Sequence, residues 1–319
     1  MNMNISSDST VHLDGLSQLY DHRILLAVLL LLLYAFVMLS DGMVVYIVCS
    51  RRSLHWPMYV FVVAVLINSS LCSTAIYPKL LWDLVQGQRV VLLSRTACLC
   101  QAFVISSLAS SSFMLLAAMA TDRYLSICHP LRYPALMSPK VVATLLALCW
   151  LFPTCRVVGA IILASHLPVC YLRITRMYCD TYIFVSMSCG GTTTQISNAY
   201  GLFGATVTIY IPVSFVLFSY CRVLLVCLWR SRKFSGKALN TFLPHMLVFF
   251  NYSLTASFEF LHRRLMMGGT TVVTMSVVVV IVPSGFNPVV YGLKVAEIYK
   301  HVKILLRNQR RPKTQPTGN

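Results

Sequence analysis

The chain has 319 residues, of which 57% are hydrophobic and 11% charged, and its formal net charge is +17. A soluble domain carries roughly 25% charged residues. The composition therefore excludes an ordinary water-soluble fold and points to a bilayer.

The N-terminal segment 1–23 is short and polar. It holds one N-glycosylation acceptor, Asn4-Ile5-Ser6. Seven apolar runs follow, at 24–49, 57–84, 95–121, 140–164, 197–228, 238–261 and 270–293. Each is long enough for a membrane helix, which needs about 20 mainly apolar residues. The first exceeds the apolar core of a signal peptide, and no basic segment precedes it, so it reads as a retained span. The seventh is rich in Val ("TTVVTMSVVVVIVP"). An isolated strand in lipid leaves its backbone unsatisfied, so a helix is expected there as well. After it, "LKVAEIYKHVKILLRN" repeats Val295, Ile298, Tyr299, Val302, Leu305 and Leu306 at helical spacing. That predicts a short amphipathic helix lying on the inner leaflet.

The expected fold is an all-α membrane protein, a seven-transmembrane helix bundle with a short amphipathic helix after span seven. Its parts are an extracellular N-terminus at 1–23, the bundle at 24–293, and a cytoplasmic helix and tail at 294–319.

Sidedness follows from charge. Lys and Arg concentrate in cytoplasmic loops. With the N-terminus outside, the inner segments hold 17 of the 26 basic residues and net +15, whereas the outer side nets +3. The expected placement is a multi-pass protein of the plasma membrane, N-terminus out and C-terminus in. The inner charge suits anionic lipid headgroups. The basic loops lack the interleaved aromatics of single-strand binders, so nucleic acid is not an expected partner.

An enzyme is disfavoured. There is no HExxH, Walker loop or Gly-x-Ser-x-Gly elbow, and the spans hold no paired carboxylates. No histidine–cysteine set has zinc spacing, and no metal or cofactor is expected. A transporter or channel is the rival from another class. Such proteins often carry repeats and broken helices, and no repeat is visible here.

Four of the twelve cysteines, Cys98, Cys170, Cys179 and Cys189, fall on the outer side. Disulfides persist there, and four cysteines allow three pairings. The rest read as small buried apolar residues, with Cys100 two positions deeper than Cys98.

The stretch "MATDRYLSICHPLRY" (119–133) puts an acid and a base at the inner end of span three. Alone, Arg123 could be a snorkelling anchor. It stands with "SLHWPMY" (53–59), "SYCRVLL" (219–225), "KALNTFLPHM" (237–246) and "PSGFNPVVYGLK" (283–294). Together these resemble the rhodopsin-like G-protein-coupled receptors, and within them the odorant receptors, over nearly the whole chain. "IYPK" (76–79) and "FEFL" (258–261) resemble the fish branch of that family.

The resemblance implies roles. Cys98 would pair with Cys179, and Cys170 with Cys189. Asp122, Arg123, Tyr124, Tyr220, Asn287, Pro288 and Tyr291 would form the inner switch that a heterotrimeric G protein reads. Arg123 would be held by Asp122 at rest, and span six would move out on activation. A small-molecule odorant would sit between the outer halves of spans three, five, six and seven. The implied positions are Ile105, Ser106, Ala109 and Ser110, then Phe203, Thr206 and Val207, then Tyr252, Ser253 and Ala256, and Thr274. The implied function is an odorant receptor that raises cAMP. A non-olfactory receptor of the same fold is the nearer alternative.

Some residues depart from the family pattern. Span one has Asp41 where the family usually has Asn, and span two has Asn68 where Asp is common. Phe242 stands for the usual Cys. Intramembrane acids are costly and usually functional. Asp41, Asn68, Ser112 and Asn287 are therefore a candidate polar cluster for a cation or proton, against a neutral Asp41 with one hydrogen bond. Arg156, in the outer half of span four, is expected to snorkel outward. The alternative is that it faces the bundle and an anionic ligand.

Overall fold

The computed structural model describes residues 10–229, 232–264, 281–292, 299, 300 and 303. Span one is the helix Arg23–Ser50. Its 28 residues reach about 42 Å at 1.5 Å per residue, more than a bilayer core requires. Span two is Pro57–Gln86, span three Arg95–Cys128 and span four Pro139–Ser165. Span five runs Thr192–Trp229, and span six is Arg232–Arg264. Residues 281–292, the inner part of span seven, are also helical. Among the described residues, five helices are long and apolar enough to cross a membrane. The protein is an all-α, multi-pass membrane bundle.

Local chemistry fixes the helix ends. Pro57 and Pro139 open spans two and four at the first turn, where a missing N–H costs nothing. Ser94 caps span three by accepting from the Ala97 N–H at 3.2 Å. Span two ends at Gly87 in the left-handed region, φ 67°, and the Gly87 N–H donates to the Leu84 carbonyl.

Span three is the hub, packing against spans two, four, five and six. An outer core gathers Leu30, Tyr77, Cys98, Phe184 and Met187. An inner one gathers Phe61, Leu115, Val248 and Tyr291. A third, between spans three, five and six, holds Ala120, Val216, Tyr220 and Phe249.

Three features differ from the expectation. First, the outer face carries a small sheet, of order β2–β1–β3. Its strands are β1 (Thr10–Leu13), β2 (Val91–Ser94) and β3 (Arg173–Ile174). β1 pairs antiparallel with β2 and parallel with β3. Val11 and Leu13 are buried in it, so part of the segment read as polar is a strap over the bundle. Second, the long outer loop contains a helix, Thr181–Met187, capped by Asp180. Third, span five is not regular. Helix Thr192–Ala205 passes through a π turn, Thr206–Tyr210, into helix Ile211–Trp229. Pro212 explains the turn. It has no N–H to give the Thr208 carbonyl and its ring would press on it, so the ladder relaxes there.

Asn4, Thr274 and most of the predicted amphipathic helix lie outside the described residues.

Candidate functional site

Two disulfides shape the outer end. Cys98 is bonded to Cys179, which ties span three to the loop, and Cys170 is bonded to Cys189 within the loop. The Cys179 N–H also donates to Gln101 Oε1 at 3.0 Å. Arg95 Nη2 donates to the carbonyls of Ser165 and Leu167 at 3.0 and 2.9 Å, fastening the end of span four. Arg176 Nη1 meets Glu259 Oε1 at 2.7 Å, joining the loop to span six.

Beneath this cover lies a cavity of about 300 Å³, the lower end of the size of small-molecule sites. Ile105, Ser106, Ala109 and Ser110 of span three line it, as do Tyr252 and Ala256 of span six. These are positions that the family resemblance implied. Phe203, Thr206 and Val207 are not on the wall. Phe203 is 62% exposed on the outside of the bundle, and the Thr206 hydroxyl donates to the Leu202 carbonyl. Leu202, Ala205, Thr208 and Ile209 stand in their place. The π turn is the reason. It carries an extra residue, so the side chains on its two sides do not keep the facing of a regular helix. Ser253 is off the wall too, half-buried, with its hydroxyl unpaired among the described residues.

Arg156 corrects a second expectation. It does not snorkel outward. Its Nη2 donates to Ser110 Oγ at 2.9 Å, and the side chain lines the cavity. The nearby hydroxyl supplies a partner that lipid would not.

The floor of the cavity includes Phe113 and Tyr252, whose rings meet edge to face at 6.1 Å. Below them, Asn287 Nδ2 donates to the Tyr252 hydroxyl at 2.9 Å. Asn68 Nδ2 donates to Ser112 Oγ and to the Leu108 carbonyl, each at 2.9 Å, and its Oδ1 accepts from Trp150 Nε1 at 3.0 Å. Asp41 Oδ2 accepts from Ser70 Oγ at 2.9 Å. Asp41, Asn68, Ser112 and Asn287 are all buried; Tyr252 is hydrogen-bonded to both Asn287 and Ser112, which joins Asn287 to Asn68, whereas the Asp41–Ser70 bond stands apart. Among the described residues, no group of three histidine, cysteine or acidic side chains could hold a metal ion.

At the inner end Asp122 is fully buried, and Arg123 is paired with it. Arg123 Nε donates to Asp122 Oδ2 at 2.9 Å. The other carboxylate oxygen accepts from the Tyr133 hydroxyl at 2.7 Å. Tyr133 belongs to the short inner-loop helix Tyr133–Leu136. Burial, then the Asp122 carboxylate, pushes its phenol above the usual range, so it stays a donor. Tyr124 turns instead to His129, with ring centroids 5.5 Å apart. Tyr220 packs edge to face on Phe249 at 5.6 Å. Tyr291 is buried, with its hydroxyl 3.9 Å from Met119 Sδ and its ring 5.8 Å from that of His245. Pro288 is buried beside Asn287 in span seven.

Sequence reasoning missed Tyr133, Ser70, Trp150 and Gln101 as partners. Ser70, Trp150 and Gln101 each come from another element than the group they meet, and Tyr133, although it closes the stretch 119–133, lies on the short helix beyond the end of span three.

The sequence profile of the family described as olfactory receptor matches residues 30–309. The chain is 32% identical to human olfactory receptor 2AT4 over 269 residues, 83% of this chain and 82% of the relative. It is 30% identical to human olfactory receptor 6K3 over 309 residues, 95% and 92% of the two chains. With mouse olfactory receptor 2A7 it shares 28% over 292 residues, 90% and 92%. A buried cavity under a disulfide-tied loop, a locked acid–base pair at the opposite end and these matches agree, and the chain belongs to the olfactory receptor family of membrane signalling receptors, which are not enzymes.

Proposed function

We propose that this receptor takes a small odorant into the cavity lined by spans two to seven and activates a stimulatory heterotrimeric G protein at the inner face, raising cAMP. The observation that carries the reading is Tyr252. Its ring forms part of the cavity floor, and its hydroxyl is bonded to Asn287 on span seven. A ligand that shifts Tyr252 acts on Asn287, and through the same helix on Tyr291. Such a bundle has two packings, and an agonist stabilises the one it binds better. In the resting packing Asp122, itself bonded by Tyr133, holds Arg123. Release of Arg123 and outward movement of span six open the site for the G protein.

The same reading puts the disulfides and the glycan acceptor Asn4 outside the cell, and the basic segments inside.

A cAMP reporter in cells supplying the olfactory stimulatory G protein tests it, with volatile and water-soluble odorants. The expected result is a response that disappears in Arg123→Ala at equal surface expression. Ion current or solute uptake without G protein would overturn the proposal.

A further inference from the structure

Arg156 brings a charge into an apolar site, and the fold is built around it. Span five makes room. A Cβ on Gly204 would lie 2.5 Å from Arg156 Nη1 and 2.7 Å from Cδ, so a side chain there would displace the guanidinium. The Tyr200 hydroxyl donates to the Arg156 carbonyl at 3.0 Å and binds the two helices beside the site.

Among the described residues, no acid forms an ion pair with this charge. A guanidinium stays ionised, and Arg156 is half-buried, so a counter-charge is favourable there. Among the described residues, the acid–base pairs are Lys79–Asp83, Arg123–Asp122, Arg173–Asp14 and Arg176–Glu259. None includes Arg156. Two acids line the same cavity, and both are engaged elsewhere. Asp180 Oδ1 accepts from the N–H groups of Tyr182 and Ile183, and Glu259 pairs with Arg176. Arg156 Nε is buried without a hydrogen-bond partner among the described residues. The only side chain bonded to the guanidinium there is the neutral Ser110. Much of the remaining wall is apolar, including Ile105, Ala109, Phe113 and Ala160.

We propose that the ligand of this cavity is a small organic carboxylate with an apolar body, its carboxylate received by Arg156 next to Ser110. The inference rests on the receptor reading and narrows it to a ligand class. The planar guanidinium fork matches a carboxylate with two parallel hydrogen bonds, a geometry lysine cannot reproduce. Ile105, Phe113 and their neighbours cover the hydrocarbon part.

The test uses the purified full chain in detergent, melted with hexanoate, octanoate or phenylacetate, and with hexanamide, octanamide or phenylacetamide at equal concentration. A ligand that binds only the folded state raises the melting temperature. At least one carboxylate is expected to raise it by about 2 °C or more, and its amide to leave it unchanged. Arg156→Gln abolishes that rise. Gly204→Ala, which keeps the charge and presses on the guanidinium, weakens carboxylate affinity at least about tenfold. It also covers the case in which Arg156→Gln does not fold. Absence of a shift from all three carboxylates overturns the inference, as does a carboxylate shift that survives both substitutions. The cAMP assay separates the two readings. A carboxylate that binds without raising cAMP sinks the coupling and keeps this assignment. A receptor that answers only neutral odorants does the reverse.

Discussion

Asn287 donates a 2.9 Å hydrogen bond to the hydroxyl of Tyr252, so a helix that lines the cavity and the helix that carries Tyr291 share one hydrogen bond. Asn287 is fully buried. Tyr252→Phe keeps the ring against Phe113 and leaves that amide without its acceptor. An unmet buried group costs about 1–3 kcal/mol. Because the bond is made in the packing where Arg123 is paired with Asp122, its loss favours the other packing. Ligand-independent cAMP is expected to rise several-fold at equal surface level. Unchanged basal signalling would remove Tyr252 from the link.

Tyr133→Phe tests the other end. The phenol donates to Asp122, and a hydrogen bond to a charged group contributes about 1.5–3 kcal/mol. Without it Asp122 is held by Arg123 alone. Basal cAMP is again expected to rise, and Arg123→Ala in the same chain should abolish it. The sign of the pH effect is clear. The phenol's affinity for its proton is raised on folding, so the contact is complete below the unfolded value of about 10 and fails only as the pH climbs past the folded one.

The two disulfides should not weigh equally. Cys98–Cys179 spans a separation of 81 residues and Cys170–Cys189 one of 19. Closing the longer loop restrains the unfolded chain more, about 4.5 against about 3 kcal/mol. Cys98→Ser should therefore lower the surface level more than Cys170→Ser, measured by antibody against an N-terminal tag. The opposite order would locate the energetic weight in the loop itself.

Asp41 gives a fourth prediction. Asp41→Asn can still accept from Ser70, so surface level, signalling and sodium response should stay within about twofold, the effect expected of under about 0.5 kcal/mol. Asp41→Leu strands the Ser70 hydroxyl, part-buried in the bond it makes now, and should lower the melting temperature. A sodium sensitivity present in the native chain and absent in Asp41→Asn would instead join Asp41, Asn68, Ser112 and Asn287 into one cation site.

The helices were legible in the sequence because lipid demands long apolar runs. Spans one to four begin and end within two residues of their expected bounds, apart from span three, which continues to Cys128 and carries Asp122 and Arg123 inside its last turns. The β1 strap was not legible. Four residues show no period long enough to read, and their partners lie about 80 and 160 positions away. Arg156 departs from the rule for lone membrane cations, which assumes lipid on every side. Ser110 and the space above Gly204 come from two other helices. The Tyr133–Asp122 contact has no helical spacing, because the chain turns back between the two residues.

The π turn in span five leaves its two ends out of phase. Down to Ile209 the helix lines the cavity, and below Tyr210 it presents Tyr220 to Phe249. Each residue of a regular helix turns the chain by about 100°. Deleting one residue inside the turn would let the backbone close into an ordinary α-helix and rotate the upper half, with the lower half left in place. A single lost codon could thus deal the odorant a new set of side chains while the output machinery stayed as it was.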